Sequence, residues 1–149
     1  MKTNVLFYNT VTPLLKEALN VLMAEPLFAP FRLVGGTSLS LRLGHRLSVD
    51  IDMFTDVPYN SLDYKTFEKF LQAKFNYYYS GDPTSIIGFG RGYHIGNSKD
   101  DCIKLDLMYT DPFIHQADII DGIRMASMNE IVKKKINEKK RKNKKKDYW

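Results

Sequence analysis

Cysteine is nearly absent: Cys102 stands alone among 149 residues, so no internal disulfide can form, and no Cys/His cluster has zinc-ligand spacing. Long apolar runs are missing as well. Nothing approaches the ~20 residues of a membrane span, and the opening stretch Met1 to Asn9 lacks the apolar segment of a signal peptide. Together these absences predict a reducing, cytoplasmic setting with no membrane contact. A dinucleotide loop is also excluded, because Gly88-Phe89-Gly90-Arg91-Gly92 lacks the GxGxxG spacing. Calcium binding of the EF-hand kind fails at Phe54, which occupies the third acidic position of the run from Asp50 to Asp56.

What is present suits one folded unit. Apolar residues make up 44% and aromatics 13%, enough for a packed core in a single domain. The net charge of +5 is unevenly placed. Residues 133–147 hold nine lysines, Arg141 and only two acids, a local +8, which leaves the rest of the chain at −3. Such a run suits contact with RNA or DNA phosphates, and equally a solvated helix face.

Periodicity outlines the elements. Thr12 and Pro13 open a helix that ends near Pro26, with Leu15, Ala18, Leu19 and Leu22 on one face. Phe31 to Val34 reads as a strand running into Gly35-Gly36, and Thr37 is expected to cap a short helix to about Leu43. Leu47, Val49 and Ile51 alternate with Ser48, Asp50, Asp52 and Phe54, so both aspartates project from one strand face. Ser61 or Asp63 opens a helix carrying Tyr64, Phe67, Phe70 and Leu71 inward. Tyr93 to Ile95 and Cys102 to Tyr109 form a hairpin that leaves Asp106 on the face opposite Ile103, Leu105 and Leu107. Ile119 to Met125 reads as one further strand. Ser127 and Glu130 form a capping box for a last helix. Tyr77-Tyr78-Tyr79 reads as core packing in preference to a base-stacking surface, and His94 and His115 have no partner visible in the sequence.

Three features fall in order along this chain: a glycine turn before a helix, the pair Asp50 and Asp52, and the single strand aspartate Asp106. Backbone N–H groups at a glycine turn can approach phosphates because no side chain intervenes. Mg²⁺ is commonly held by one or two carboxylates together with substrate phosphates. A third carboxylate on a neighbouring strand would complete a two-ion arrangement. Asp106 is the candidate, with a surface pairing to Lys104 as the alternative. Arg46, just ahead of the acidic strand, could meet a phosphate or pair with an aspartate.

The run Leu33-Val34-Gly35-Gly36-Thr37-Ser38-Leu39-Ser40-Leu41, with His45-Arg46-Leu47-Ser48-Val49-Asp50-Ile51-Asp52-Met53-Phe54, resembles the signature of the AbiEii/AbiGii toxin family of nucleotidyltransferases. Lys104-Leu105-Asp106 is similar to its third acidic motif, and residues 126–131 with Lys135, Arg141 and Lys146-Asp147 to its Lys-Asp helical segment. The resemblance implies an α/β (α+β) fold, a mixed sheet flanked by helices as in polymerase β-like nucleotidyltransferases. It also implies Mg²⁺-dependent transfer of a nucleotide from an NTP, in the toxin of a toxin–antitoxin or phage-defence module with a cognate antitoxin. On that analogy Gly35, Gly36 and Thr37 hold the triphosphate, Asp50 and Asp52 bind two Mg²⁺ ions, and Asp106 helps activate the acceptor hydroxyl. Lys135 reaches the nucleotide.

Where the family pattern has glycines after Arg141, this chain has Lys142 and Asn143, and it stops at Trp149, short of further helices. The expected division is a catalytic domain over residues 1–126 and a basic helix over 127–149. Three functions follow: nucleotidyl transfer to a nucleic-acid hydroxyl, with tRNA as one candidate, or to a protein hydroxyl; a degenerate fold that binds nucleic acid or a partner protein; and a phosphotransferase on the same fold.

Overall fold

The computed structural model describes residues 6–44, 49–80 and 90–127. Helix α1 (Pro13–Ala24) starts as its sequence dictates: the Thr12 hydroxyl accepts the Leu15 N–H at 3.1 Å, and Pro13 stands at the first helical position. It stops two residues ahead of Pro26, since the residue before a proline is driven out of helical geometry. Strand β1 (Phe31–Val34) runs directly into helix α2 (Gly35–Leu43).

Here one expectation is corrected. Val34, not Thr37, occupies the N-cap of α2, and no side chain caps it. Gly35, with φ +74°, makes the abrupt turn from strand to helix that an L side chain would resist. Thr37 lies inside the helix, and its hydroxyl donates to the main-chain carbonyl of Asp50.

The remaining elements are β2 (Asp50–Thr55), α3 (Tyr64–Lys74), β3 (Tyr77–Tyr79), β4 (Gly90–Ser98), β5 (Asp101–Tyr109), β6 (Asp118–Ile120) and β7 (Ile123–Met125). The strands form one mixed sheet of order β3-β4-β5-β2-β1-β7-β6. β2 runs parallel to β5 and antiparallel to β1, and β4 and β5 form the expected hairpin. Its turn is tighter than the glycine-rich sequence suggested: Ser98 pairs with Asp101, and Gly96 lies within the strand. The single strand expected over Ile119 to Met125 is instead a hairpin, β6–β7. Asp121 and Gly122 form its turn with φ of 54° and 78°, the positive pair that an Asp-Gly two-residue hairpin favours.

Alternation divides the sheet cleanly. Phe31, Leu33, Ile51, Met53, Tyr93, Ile95, Leu105 and Leu107 enter one core with Leu15, Leu19 and Leu22 of α1 and with Phe67 and Leu71 of α3. Phe28 sits among Phe31, Phe67 and Phe70, at ring-centroid distances of 6.1, 5.1 and 5.6 Å. The opposite face carries Arg32, Asp52, Phe54, Lys104, Asp106 and Met108, all partly exposed. Thus the core sits on one side of the sheet and the polar chemistry on the other.

Arg124 ties β7 to the end of α1, the loop after it and the start of β1. Its guanidinium donates to the carbonyls of Phe28 at 2.8 Å, Phe31 at 3.2 Å and Met23 at 3.3 Å. Burial pulls its pKa below the usual arginine value, and the three carbonyls supply what solvent would have given. Arg124→Met is expected to lower stability by about 2 kcal/mol, read from the urea midpoint, because it leaves three half-buried acceptors unmatched.

No helix among the described residues is long and apolar enough to cross a membrane. Arg46, Lys135, the helix expected from Ser127 and Glu130, and the basic run 133–147 lie outside the described residues, and the boundary between 126 and 127 falls at their limit.

Candidate functional site

Asp50 and Asp52 both leave β2 on the face away from the core, as their spacing requires. The parallel pairing of β2 with β5 sets Asp52 opposite Asp106 and Asp50 opposite Lys104. Three carboxylates from residues far apart in sequence therefore gather on two central strands. Asp52 and Asp106 are hydrogen bonded to one another, and Asp50 is near enough to influence both. Lys104 stands 3.8 Å from Asp106, so the surface pairing considered from sequence forms as well, but it does not remove Asp106 from the acidic group.

The electrostatics follow from crowding. Burial pushes the Asp52 carboxyl up from 3.8 to about 7, with Asp106 and then Asp50 acting in the same direction and Lys104 against them. Asp106 is raised too, chiefly by burial, with Lys104 as the main opposing influence. Like charges held close in a partly dry site share a proton in preference to ionising together. A cation would remove that penalty.

The start of α2 closes the other side of the site. Val34 lies opposite Asp52 across the β1–β2 pair, so the next residue, Gly35, meets the aspartate directly. A Cβ added at Gly35 would lie 2.8 Å from the Asp52 Oδ2 atom. Glycine is thus required twice, for the turn and for the close approach. The N–H groups of Gly35, Gly36 and Thr37 form the first turn of α2, at the positive end of the helix dipole. The Thr37 side chain is buried against β2, so it locks the helix to the acidic strand and leaves only its backbone to face a ligand.

The donor set suits Mg²⁺. All three side chains are hard oxygen donors, and two of them crowd together at a pH-sensitive contact. No group of three or more His, Cys, Asp or Glu is already drawn to metal-ligand distance among the described residues. A cation would have to gather them, with substrate oxygens filling the remaining positions.

Some neighbours of the site were not legible from sequence. Gly92 lies opposite Asp106 on β4, so no side chain stands across from that carboxylate. His94 lies opposite Lys104 and is close enough to bear on the charge of Asp106. Tyr79, opposite His94, is 47% exposed and does not enter the core, whereas Tyr78 packs on Tyr93 at 5.9 Å. The expectation for the tyrosine triplet therefore holds for Tyr78 and fails for Tyr79, since alternation sends neighbouring strand residues to opposite faces. The register of the β4–β5 hairpin is the signal that would have located His94.

A family model described as the nucleotidyl transferase AbiEii toxin of type IV toxin–antitoxin systems matches residues 17–148. Among solved structures, the chain is similar to JHP933 from Helicobacter pylori, with a TM-score of 0.54 and 23% identity. A second H. pylori chain, bearing a nucleotidyltransferase title, gives 0.54 and 24%. Each match covers 80% of this chain and 53% or 55% of the other, so the chain spans about half the length of these structures. At these identities the likeness establishes the fold. No curated protein matches the chain.

Proposed function

The chain belongs to the AbiEii family of nucleotidyl transferase toxins, and on that premise we propose that it transfers a nucleotidyl group from an NTP to a hydroxyl of a nucleic acid. One observation carries this reading: Asp52 faces Asp106 across the β2–β5 pair while the glycine turn of α2 abuts Asp52. A phosphate-binding helix start and a three-carboxylate cluster thus share one face of the sheet.

In this reading the backbone N–H groups of Gly35, Gly36 and Thr37 hold the outer phosphates of the NTP. Gly35, lacking a side chain, lets the triphosphate lie against Asp52. Asp50, Asp52 and Asp106 would hold Mg²⁺, which supplies charge neutralisation on the phosphates and lowers the pKa of the attacking hydroxyl. Asp106, on the side away from α2, orients that hydroxyl toward the α-phosphorus. The hydroxyl oxygen bonds to the α-phosphorus and gives its proton to the Asp106 carboxylate, the bond from that phosphorus to the α–β bridging oxygen breaks, and pyrophosphate leaves on the α2 side.

Arg46 and Lys135 are proposed to contact the nucleotide, and the basic run 133–147 the nucleic acid. The family description supports a cognate antitoxin as partner. The cytoplasm, where NTPs are available, is the proposed setting, in keeping with a lone cysteine.

The test incubates the full chain with Mg²⁺, bacterial RNA and NTP labelled at the α- or γ-phosphate, beside Asp50→Ala/Asp52→Ala. Label passing from the α position only, and lost in the double variant, is expected. Transfer from the γ position only would overturn nucleotidyl transfer in favour of phosphoryl transfer. RNA binding without any transfer would favour a degenerate binding module.

A further inference from the structure

In-line displacement requires the attacking and leaving oxygens on opposite sides of the phosphorus. With the triphosphate tail at the start of α2, against Asp52, the in-line path for the acceptor runs from the Asp106 side, over β5 and β4 toward β3. That part of the polar face has a definite composition. Lys104, His94 and Tyr79 stand in one row across β5, β4 and β3. Gly92 leaves the neighbouring position opposite Asp106 without a side chain.

The Tyr79 and His94 rings pack at a centroid distance of 6.1 Å and an interplanar angle of 47°. Tyr79, on the outermost strand, is 47% exposed. Lys104 is partly exposed even while paired with Asp106, and an ammonium group has three donors. An aromatic ring beside an imidazole and an ammonium is a combination that takes a base on its π-face and a phosphate on the ammonium. The two strand spacings from β3 to β5 come to roughly 10 Å, the scale of one nucleotide.

We propose that Tyr79 and His94 form an acceptor platform on which the terminal base of a single-stranded nucleic acid stacks, with Lys104 on its last phosphate and its hydroxyl at Asp106. The proposal rests on the nucleotidyl-transfer reading and deepens it by assigning the acceptor to nucleic acid with an unpaired end. Tyr79 is a binding residue here, not a reacting one.

The experiment uses the full chain and a 12-nucleotide RNA carrying 2-aminopurine at its 3′ end or, in a second RNA, at its centre. Stacking on tyrosine is expected to quench the terminal probe. Tyr79→Ala should abolish that quench and weaken RNA binding about tenfold, whereas Tyr79→Phe, which keeps the π-face, should retain both. His94→Ala should reduce the quench in the same direction. Unchanged quenching in Tyr79→Ala, or equal loss from the central probe, would overturn the platform. So would a rise in KM for NTP with none for RNA, since that would place the donor base on the ring. Quenching that depends on Tyr79 without α-label transfer to any RNA would sink the transferase reading and leave the platform standing. Transfer with an RNA KM indifferent to Tyr79→Ala would do the reverse.

Discussion

Asp52→Asn is expected to abolish α-label transfer, by about 10³-fold or more, and at the same time to make the metal-free protein more stable at pH 8. The two effects have one origin. Folding raises the Asp52 pKa from 3.8 to about 7, so between those values the folded chain keeps a proton that the unfolded chain has released. Stability therefore falls as pH rises through that window and stays low above it. Asparagine removes the titration and still offers an N–H to Asp106. Urea unfolding without divalent cations should show wild type losing on the order of 1–3 kcal/mol between pH 5 and pH 8, with a shallower loss in the variant because Asp106 still titrates. Equal slopes for the two proteins would mean that Asp52 is not crowded as described.

Gly35→Ala should produce the second large loss, about 10²-fold in transfer. Alanine there combines a strained φ of +74° with a Cβ only 2.8 Å from Asp52 Oδ2, so the helix start and the carboxylate must move apart. Misplacing a reacting group by about 1 Å is enough for a loss of that order. Gly122→Ala separates strain from contact. Gly122 has a similar φ of +78° with nothing within 4 Å of an added Cβ, and its replacement should cost about 1 kcal/mol while leaving transfer intact. Should Gly35→Ala and Gly122→Ala behave alike in both assays, the Asp52 contact would carry no functional weight.

The parts of this arrangement legible from sequence were those governed by local spacing. Alternation alone set Asp50 and Asp52 on one face of β2, and Asp106 opposite the apolar residues of β5. Thr12-Pro13 announced α1. The Asp121-Gly122 turn was just as local, yet the apolar residues on either side of it hid the hairpin. Pairing between distant strands has no such signature. Nothing near Asp52 announces Asp106 as its neighbour, and nothing in the tyrosine triplet tells which ring faces outward until β3 is aligned with β4. The start of α2 was misjudged for a related reason: Thr37 is a good capping residue by type, but the approach of β2 turned its hydroxyl to the Asp50 carbonyl instead.

The same distant pairing bears on how the molecule comes into being. The β4–β5 hairpin closes over a two-residue turn, whereas the parallel partners Asp52 and Asp106 lie 54 positions apart. Loop-closure entropy makes pairing of that kind slow beside a hairpin. During synthesis the ribosome must reach Asp106 within β5 before the third carboxylate exists, and the hairpin must dock on β2 before it is in place. A nascent chain or a fragment broken upstream of residue 101 consequently lacks Asp106, and the three carboxylates come together only in the assembled sheet.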